Sequence, residues 1–245
     1  MGKQRRRRDV LDESAPLTSY NFKHFEPRGE HQKQYLKAIA SSDVTFGIGA
    51  AGGGKTFLAV SAALEALKNK EVSRIIITRP VVEAGEKLGF LPGDLQEKIN
   101  PYLRPIYDSF FTLIGPERLN DWRRDEIVEI APLAYMRGRS LTDAFIIVDE
   151  AQNTTIEQMR MVLTRIGSNS KMVVTGDTSQ SDLGTKVRSG LLDAICVLEG
   201  TSGISFVYFD ETDVQRHPIV KSILRAYDKS SQQKGVGGFK KDEKV

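Results

Sequence analysis

The stretch Gly49-Ala50-Ala51-Gly52-Gly53-Gly54-Lys55-Thr56 sets a lysine and a hydroxyl side chain directly after a run of small residues, and it fits the pattern GxxxxGK[ST]. Glycines in such a run reach positive φ and tolerate close approach, so successive backbone N–H groups turn inward and cradle phosphate oxygens. The N-terminus of a following helix adds partial positive charge at the same place. Lys55 is then predicted to reach the β and γ phosphates of ATP, and the Thr56 hydroxyl to coordinate Mg2+, a hard cation that prefers oxygen ligands. The competing reading is a glycine turn that only lets a strand and a helix pack tightly. A match at every fixed position, between a predicted strand and a predicted helix, argues against it.

A second group lies at Phe145-Ile146-Ile147-Val148-Asp149-Glu150, an apolar run ending in two carboxylates, which is the form of a Walker B element. Asp149 would hold the metal, directly or through water. Glu150 would act as base or orient the attacking water. An ordinary solvated strand end also carries acids, but the phosphate loop upstream weighs against that explanation. The next strand ends in Val174-Thr175-Gly176-Asp177-Thr178-Ser179-Gln180. In P-loop ATPases with a catalytic glutamate this strand lies between the other two, making Gln180 and Asp177 candidates to sense the γ phosphate; a plain Gly-Asp-Ser turn is the alternative. Further on, Asp213-Val214-Gln215-Arg216-His217-Pro218 offers Arg216 as an arginine finger, or as one half of a surface ion pair.

These residues need a frame. Residues 44–48, 75–78, 145–148, 172–175 and 204–209 are short apolar, β-branched runs without alternation, as expected of parallel strands covered on both faces. Residues 127–134 suggest a further strand ending near Pro132. After the phosphate loop, Phe57, Val60, Leu64 and Leu67 share one helical stripe, with Ala59, Ala62, Ala63 and Ala66 on an adjoining face. Strand–helix alternation predicts a doubly wound, mostly parallel α/β sheet with helices on both faces, and ligands beyond the carboxyl ends of the strands. Pro101 and Pro105 predict a broken or kinked helix within 92–114.

The 245 residues suffice for one full-sized core and not for two catalytic domains. A net charge of +3 is too small to mark a nucleic-acid binder, although Lys3, Arg5, Arg6, Arg7 and Arg8 crowd the first eight positions. That basic start would add electrostatic affinity for an anionic partner, or simply be solvated. The single Cys196 sits in the apolar run LLDAICVL, where a buried small hydrophobe is expected. No apolar run approaches a membrane span or a signal-peptide core, so a cytoplasmic, membrane-independent protein is expected.

Several longer blocks resemble the PhoH-like (phosphate-starvation-inducible) ATPase family. They are TRPVVEAGEKLGFLPGDLQEKINPYLRPIYD at 78–108, IAPLAYMRGRSLTDAFIIVDEAQNTT at 130–155, VVTGDTSQSDL at 173–183 and DVQRHPIVKSILRAY at 213–227, together with HQKQYLKAI and the phosphate loop. The resemblance implies a RecA-like P-loop NTPase fold related to superfamily 1 helicases, ATP binding and a role in RNA metabolism. Polar composition without apolar periodicity at both ends predicts a basic tail at 1–20 and a flexible polar tail at 229–245, with one PhoH-like ATPase domain at 21–228 between them. Carried onto matching positions, the resemblance assigns Gln32 as adenine reader and supports the roles of Lys55, Thr56, Asp149, Glu150, Gln180 and Arg216. The family more often has Pro and Thr at the positions of Ala50 and Gly53, which bears on rate more than on binding. Ribonuclease activity, which belongs to a domain fused to some relatives, is not carried over.

The leading functional expectation is an ATPase that couples hydrolysis to binding, translocation on or unwinding of RNA or single-stranded nucleic acid. Arg79, Arg137 and Arg139 would grip phosphates, and Tyr135 or Trp122 would stack on bases; alternatively these arginines bind the nucleotide or tie down loops. A non-motor ATP-dependent switch acting on protein partners is the second hypothesis. A small-molecule kinase is disfavoured, because Glu150 suits water activation and no lid or acceptor pocket is recognisable. Helicases usually complete an ATP site between two RecA-like lobes, and this sequence carries one phosphate loop. A cyclic homo-oligomer such as a hexamer is therefore expected, with Arg216 acting across the interface.

Overall fold

Runs rich in β-branched and aromatic residues form the strands: β1 (Val44–Gly49), β2 (Arg74–Arg79), β3 (Val128–Pro132), β4 (Ala144–Val148), β5 (Lys171–Gly176) and β6 (Ile204–Phe209). In the computed structural model, which describes residues 25–81, 95–184, 187–210, 212–214, 219–220 and 223, they make one six-stranded sheet in the order β3-β2-β4-β5-β1-β6. Every pairing is parallel. The two tails and Arg216 lie outside the described residues, as do residues 82–94 of the block at 78–108.

Successive strand residues feed opposite faces of the sheet. Ile75, Ile77, Phe145, Ile147 and Val173 join one apolar cluster with residues of α1 (Glu30–Ser41), α2 (Lys55–Lys68), α3 (Leu95–Ile114) and α4 (Pro116–Arg124). Phe46, Ile76, Ile146, Val148 and Val174 join a second cluster with α5 (Ile156–Leu163) and α6 (Gly190–Leu198). Both faces are thus covered, which explains the unbroken apolar runs of the central strands. Each fully buried Ile or Val contributes on the order of 1.5–3 kcal/mol. The fold is the expected α/β arrangement, with an entirely parallel sheet. The predicted strand near Pro132 is β3, at one edge.

Two local expectations are revised. Of the broken or kinked helix expected within 92–114, the break does not occur: α3 is continuous over Leu95–Ile114 through both Pro101 and Pro105. These prolines are four residues apart and exposed, so both missing donors fall on the solvent side, while Leu103, Ile106, Phe110 and Leu113 are buried on the other. Packing of that buried stripe outweighs the two lost hydrogen bonds. Cys196 is exposed rather than buried. On α6 only Gly190, Leu191 and Ala194 are buried, and Leu192 and Val197 face outward with the cysteine side. The apolar run is longer than the face that the sheet covers. Among the described residues, no helix is long and apolar enough to cross a membrane.

Candidate phosphate-binding site

β1 delivers the glycine-rich run to the carboxyl edge of the sheet, and α2 begins at Lys55 immediately after it. Gly54 precedes the helix at φ 81° and makes no side-chain cap, so the first-turn amides are left to a ligand. Gly49, at φ 139°, is needed for a different reason. A Cβ there would lie 2.2 Å from the Phe209 carbonyl oxygen of β6, the strand that pairs with it. Lys55 Nζ donates to the carbonyl oxygens of Gly49 (2.6 Å) and Ala50 (2.8 Å), curling the loop around the ammonium. Burial pulls the Lys55 pKa down from its ordinary value, opposed by the carboxylates of Asp177, Glu150 and Asp149.

The acid pair arrives on β4, separated from β1 by β5. Asp149 is buried, and its Oδ1 accepts from Thr56 Oγ1 (2.7 Å) and from Thr175 Oγ1 of β5 (2.6 Å). Thr56 and Asp149, the two expected metal ligands, are therefore in direct contact across the sheet edge. Glu150 adopts a left-handed conformation, φ 52° and ψ 43°, at a cost of about 1–3 kcal/mol for a side chain of this kind. That turn points its carboxylate to the cleft, where Gln152 Nε2 donates to Oε2. Gln152 Oε1 in turn accepts from the backbone N–H of Asp177 (3.0 Å), so one buried amide links the ends of β4 and β5. Gly176 makes the link feasible, since a Cβ there would lie 2.9 Å from Gln152 Oε1.

Lys55, Thr56, Asp149, Glu150, Thr175 and Gly176 line one cleft of about 340 Å3, together with Ala51, Gly52, Gly54, Arg79, Asp177 and Gln180. Asp177 Oδ1 accepts from Ser179 N (2.9 Å) and Oγ (2.6 Å). Its Oδ2 is buried without a hydrogen-bond partner among the described residues. At the sheet edge the hydroxyls of Thr56 and Thr175 meet the Asp149 carboxylate, and such an oxygen donor set fits a hard divalent cation such as Mg2+. Asn153 Nδ2 donates to Asp182 Oδ2 (3.0 Å), and its Oδ1 accepts from Asp182 N (2.8 Å), fixing the loop that carries Gln180. Gln180 itself is exposed at the cleft.

The remaining expected residues divide. Gln32 is buried beside the loop, where its Nε2 donates to the Gly53 carbonyl (3.1 Å) and its Oε1 accepts from Arg28 N (2.9 Å). Next to it, His31 Nδ1 and Asp213 Oδ2 lie 2.8 Å apart, tying the segment after β6 to α1. Trp122 is buried in the core at 5% exposure and presents no face for base stacking. Arg139 is clamped to Glu129 by N–O distances of 2.5 and 2.7 Å, which also raises its pKa through that hydrogen bond. Tyr135 and Arg137 are exposed in the turn after β3. Arg79 turns toward Asp149 and Glu150. Gln152 and Asn153 escape a reading by motif because their partners, Asp177 and Asp182, belong to another strand end; the run DEAQN next to the paired acids was the available signal.

A parallel sheet covered on both faces, with a GxxxxGK[ST] loop after β1, paired acids after β4 and β5 between them, defines a RecA-like P-loop NTPase fold. The chain belongs to the PhoH family: the family model described as PhoH-like protein matches residues 24–228. A PhoH-like protein of Synechocystis sp. is 57% identical over 199 residues, covering 81% of this chain and 61% of that protein. One of Bacillus subtilis is 56% identical over 200 residues, covering 82% of this chain and 63% of that protein. The chain thus spans under two thirds of the length of these curated relatives. Among solved structures, the large terminase from a thermophilic bacteriophage matches with a TM-score of 0.50 at 10% identity, over 82% of this chain and 50% of that one, a likeness of fold alone.

Proposed function

We propose that this protein is a Mg-dependent ATPase that couples hydrolysis to the binding of RNA or single-stranded nucleic acid. The observation that carries the reading is the convergence of Lys55, Thr56, Asp149 and Glu150 on one cleft, with Thr56 Oγ1 2.7 Å from the Asp149 carboxylate. The loop amides and Lys55 bind the phosphates, and Gln32 reads the base. Thr56 and Asp149 hold Mg2+, which when bound neutralises charge on the β and γ phosphates. Glu150 takes a proton from water as the water oxygen bonds to the γ phosphorus. The bond from that phosphorus to the β–γ bridging oxygen breaks, and ADP leaves with its electron pair. Gln180 senses the γ phosphate, and Arg216 stabilises the transferring group from a neighbouring copy in a ring.

Nucleic acid is favoured as the partner by exposed Tyr135 beside exposed Arg137 in the turn after β3, one ring for stacking and one cation for phosphate. The experiment is phosphate release with and without RNA and single-stranded DNA, in Mg2+ and in EDTA. Mg-dependent turnover raised several-fold by nucleic acid is expected. Turnover indifferent to both polymers would favour a switch acting on protein partners. No Mg-dependent ATP binding would remove the ATPase reading.

A further inference from the structure

We infer that Arg79 is a catalytic residue of the nucleotide site, supplying from within the same chain a positive charge to the transferring phosphoryl group. The proposal rests on the ATPase reading above and names a residue that it leaves out. β2 lies beside β4, and Asp149 N donates to the Thr78 carbonyl (2.9 Å), so the last residue of β2 is carried to the acid pair. Arg79 Nη1 lies 3.8 Å from Asp149 Oδ2, and Nη2 lies 3.5 Å from Glu150 Oε1, with the side chain only 19% exposed.

Those distances matter by contrast. Where this fold uses arginine as a structural clamp, at Arg139–Glu129, both contacts are 2.5 and 2.7 Å. Arg79 is held near its acids by charge without short bidentate bonds, which leaves the guanidinium able to reorient on a ligand. Among the described residues lining the cleft, the charged ones are Asp149, Glu150, Asp177, Lys55 and Arg79. A triphosphate entering this acid-rich cleft needs cations. Lys55 serves the phosphates from the loop side of the cleft, whereas Arg79 stands beside Glu150, where the attacking water is activated. As the water oxygen bonds to the γ phosphorus, its proton passes to Glu150 and the bridging P–O bond breaks toward ADP. Arg79 donates to the oxygens of the group in transfer. A guanidinium turned into the cleft is correspondingly withdrawn from gripping nucleic acid.

The test uses the full chain as wild type, Arg79→Ala and Arg79→Lys. It measures thermal midpoint, affinity for fluorescent ADP, retention of ADP with aluminium fluoride (a stand-in for the transferring group), and turnover without nucleic acid. Arg79→Ala is expected to keep its thermal midpoint and ADP affinity within about twofold. It should lose at least about 100-fold in turnover and the aluminium fluoride complex. Arg79→Lys should restore only part of both, because an ammonium lacks the planar fork. Unchanged turnover with a retained aluminium fluoride complex overturns the assignment. So does equal loss of ADP affinity and thermal midpoint, which marks a purely structural counter-ion, or a loss confined to nucleic-acid affinity. Should the wild type bind no Mg-ATP, the ATPase reading itself falls, a result distinct from any change in the variants.

Discussion

Lys55 and Glu150 reach the cleft from two strand ends with a third strand between them, and their proposed chemistry separates by experiment. Lys55→Ala removes a cation from the phosphate site and is expected to weaken ATP binding, read by fluorescent nucleotide titration. Glu150→Gln keeps the shape and one acceptor oxygen; it should bind ATP nearly as wild type and hydrolyse it about 100-fold or more slowly. Equal loss of binding in both would refute the division of labour. At this scale the phosphate loop and paired acids were legible in the sequence because each is a local pattern: consecutive amides in one case, a strand terminus in the other. Arg79 was legible only as a cation at the ligand-binding edge. Its direction depends on β2 lying next to β4, a non-local fact. Trp122 misled for the same reason, since the core beneath α4 is not visible in the run that contains it; for Arg139 the sequence left phosphate grip and loop tie both open, and Glu129 on β3 decides for the tie.

Among the elements, α3 is the one whose sequence argues most against it. Pro101 is exposed and interior to the helix, where it withholds the N–H that would bond to the residue four positions earlier. Pro101→Ala restores that bond, partly offset by the greater freedom of the unfolded chain. The substitution is expected to stabilise the protein by about 1–2 kcal/mol, a rise of several degrees in Tm by calorimetry. A fall in Tm would mean that the proline pre-orders this helix. The strands, by contrast, were readable to within a residue or two, because apolar runs buried on both faces have few other homes. Residues of α6 show the limit of reading apolarity as burial: one cluster takes Leu191 and Ala194 and leaves Leu192, Cys196 and Val197 outside.

For the whole molecule, the proposed ring makes the clearest demand. In that ring the outer side of the γ phosphate would be completed by a neighbouring copy. Ile219, Val220 and Ile223, in the segment beyond the position of Arg216, are exposed apolar groups suited to such a contact. Light scattering with ATP is expected to give a mass several times 27.3 kDa, and turnover per chain should fall on dilution as the assembly separates. Monomers with undiminished turnover per chain would eliminate the ring and place the whole burden of charge stabilisation within one subunit.

The position of β1 between β5 and β6 has a consequence for biogenesis. Among the described residues β1 pairs only with β5 and β6: Val44 stands opposite Met172 and Ile204, and its N–H donates to the Gly203 carbonyl (3.1 Å). A nascent chain emerging amino end first would therefore hold its ligand-gripping segment unpaired until nearly the entire domain has been translated. Long-range closures of this sort are slow. Competence to take up nucleotide should accordingly be among the last properties acquired during synthesis, and release of a prematurely terminated product ending before β5 would yield a species lacking it altogether.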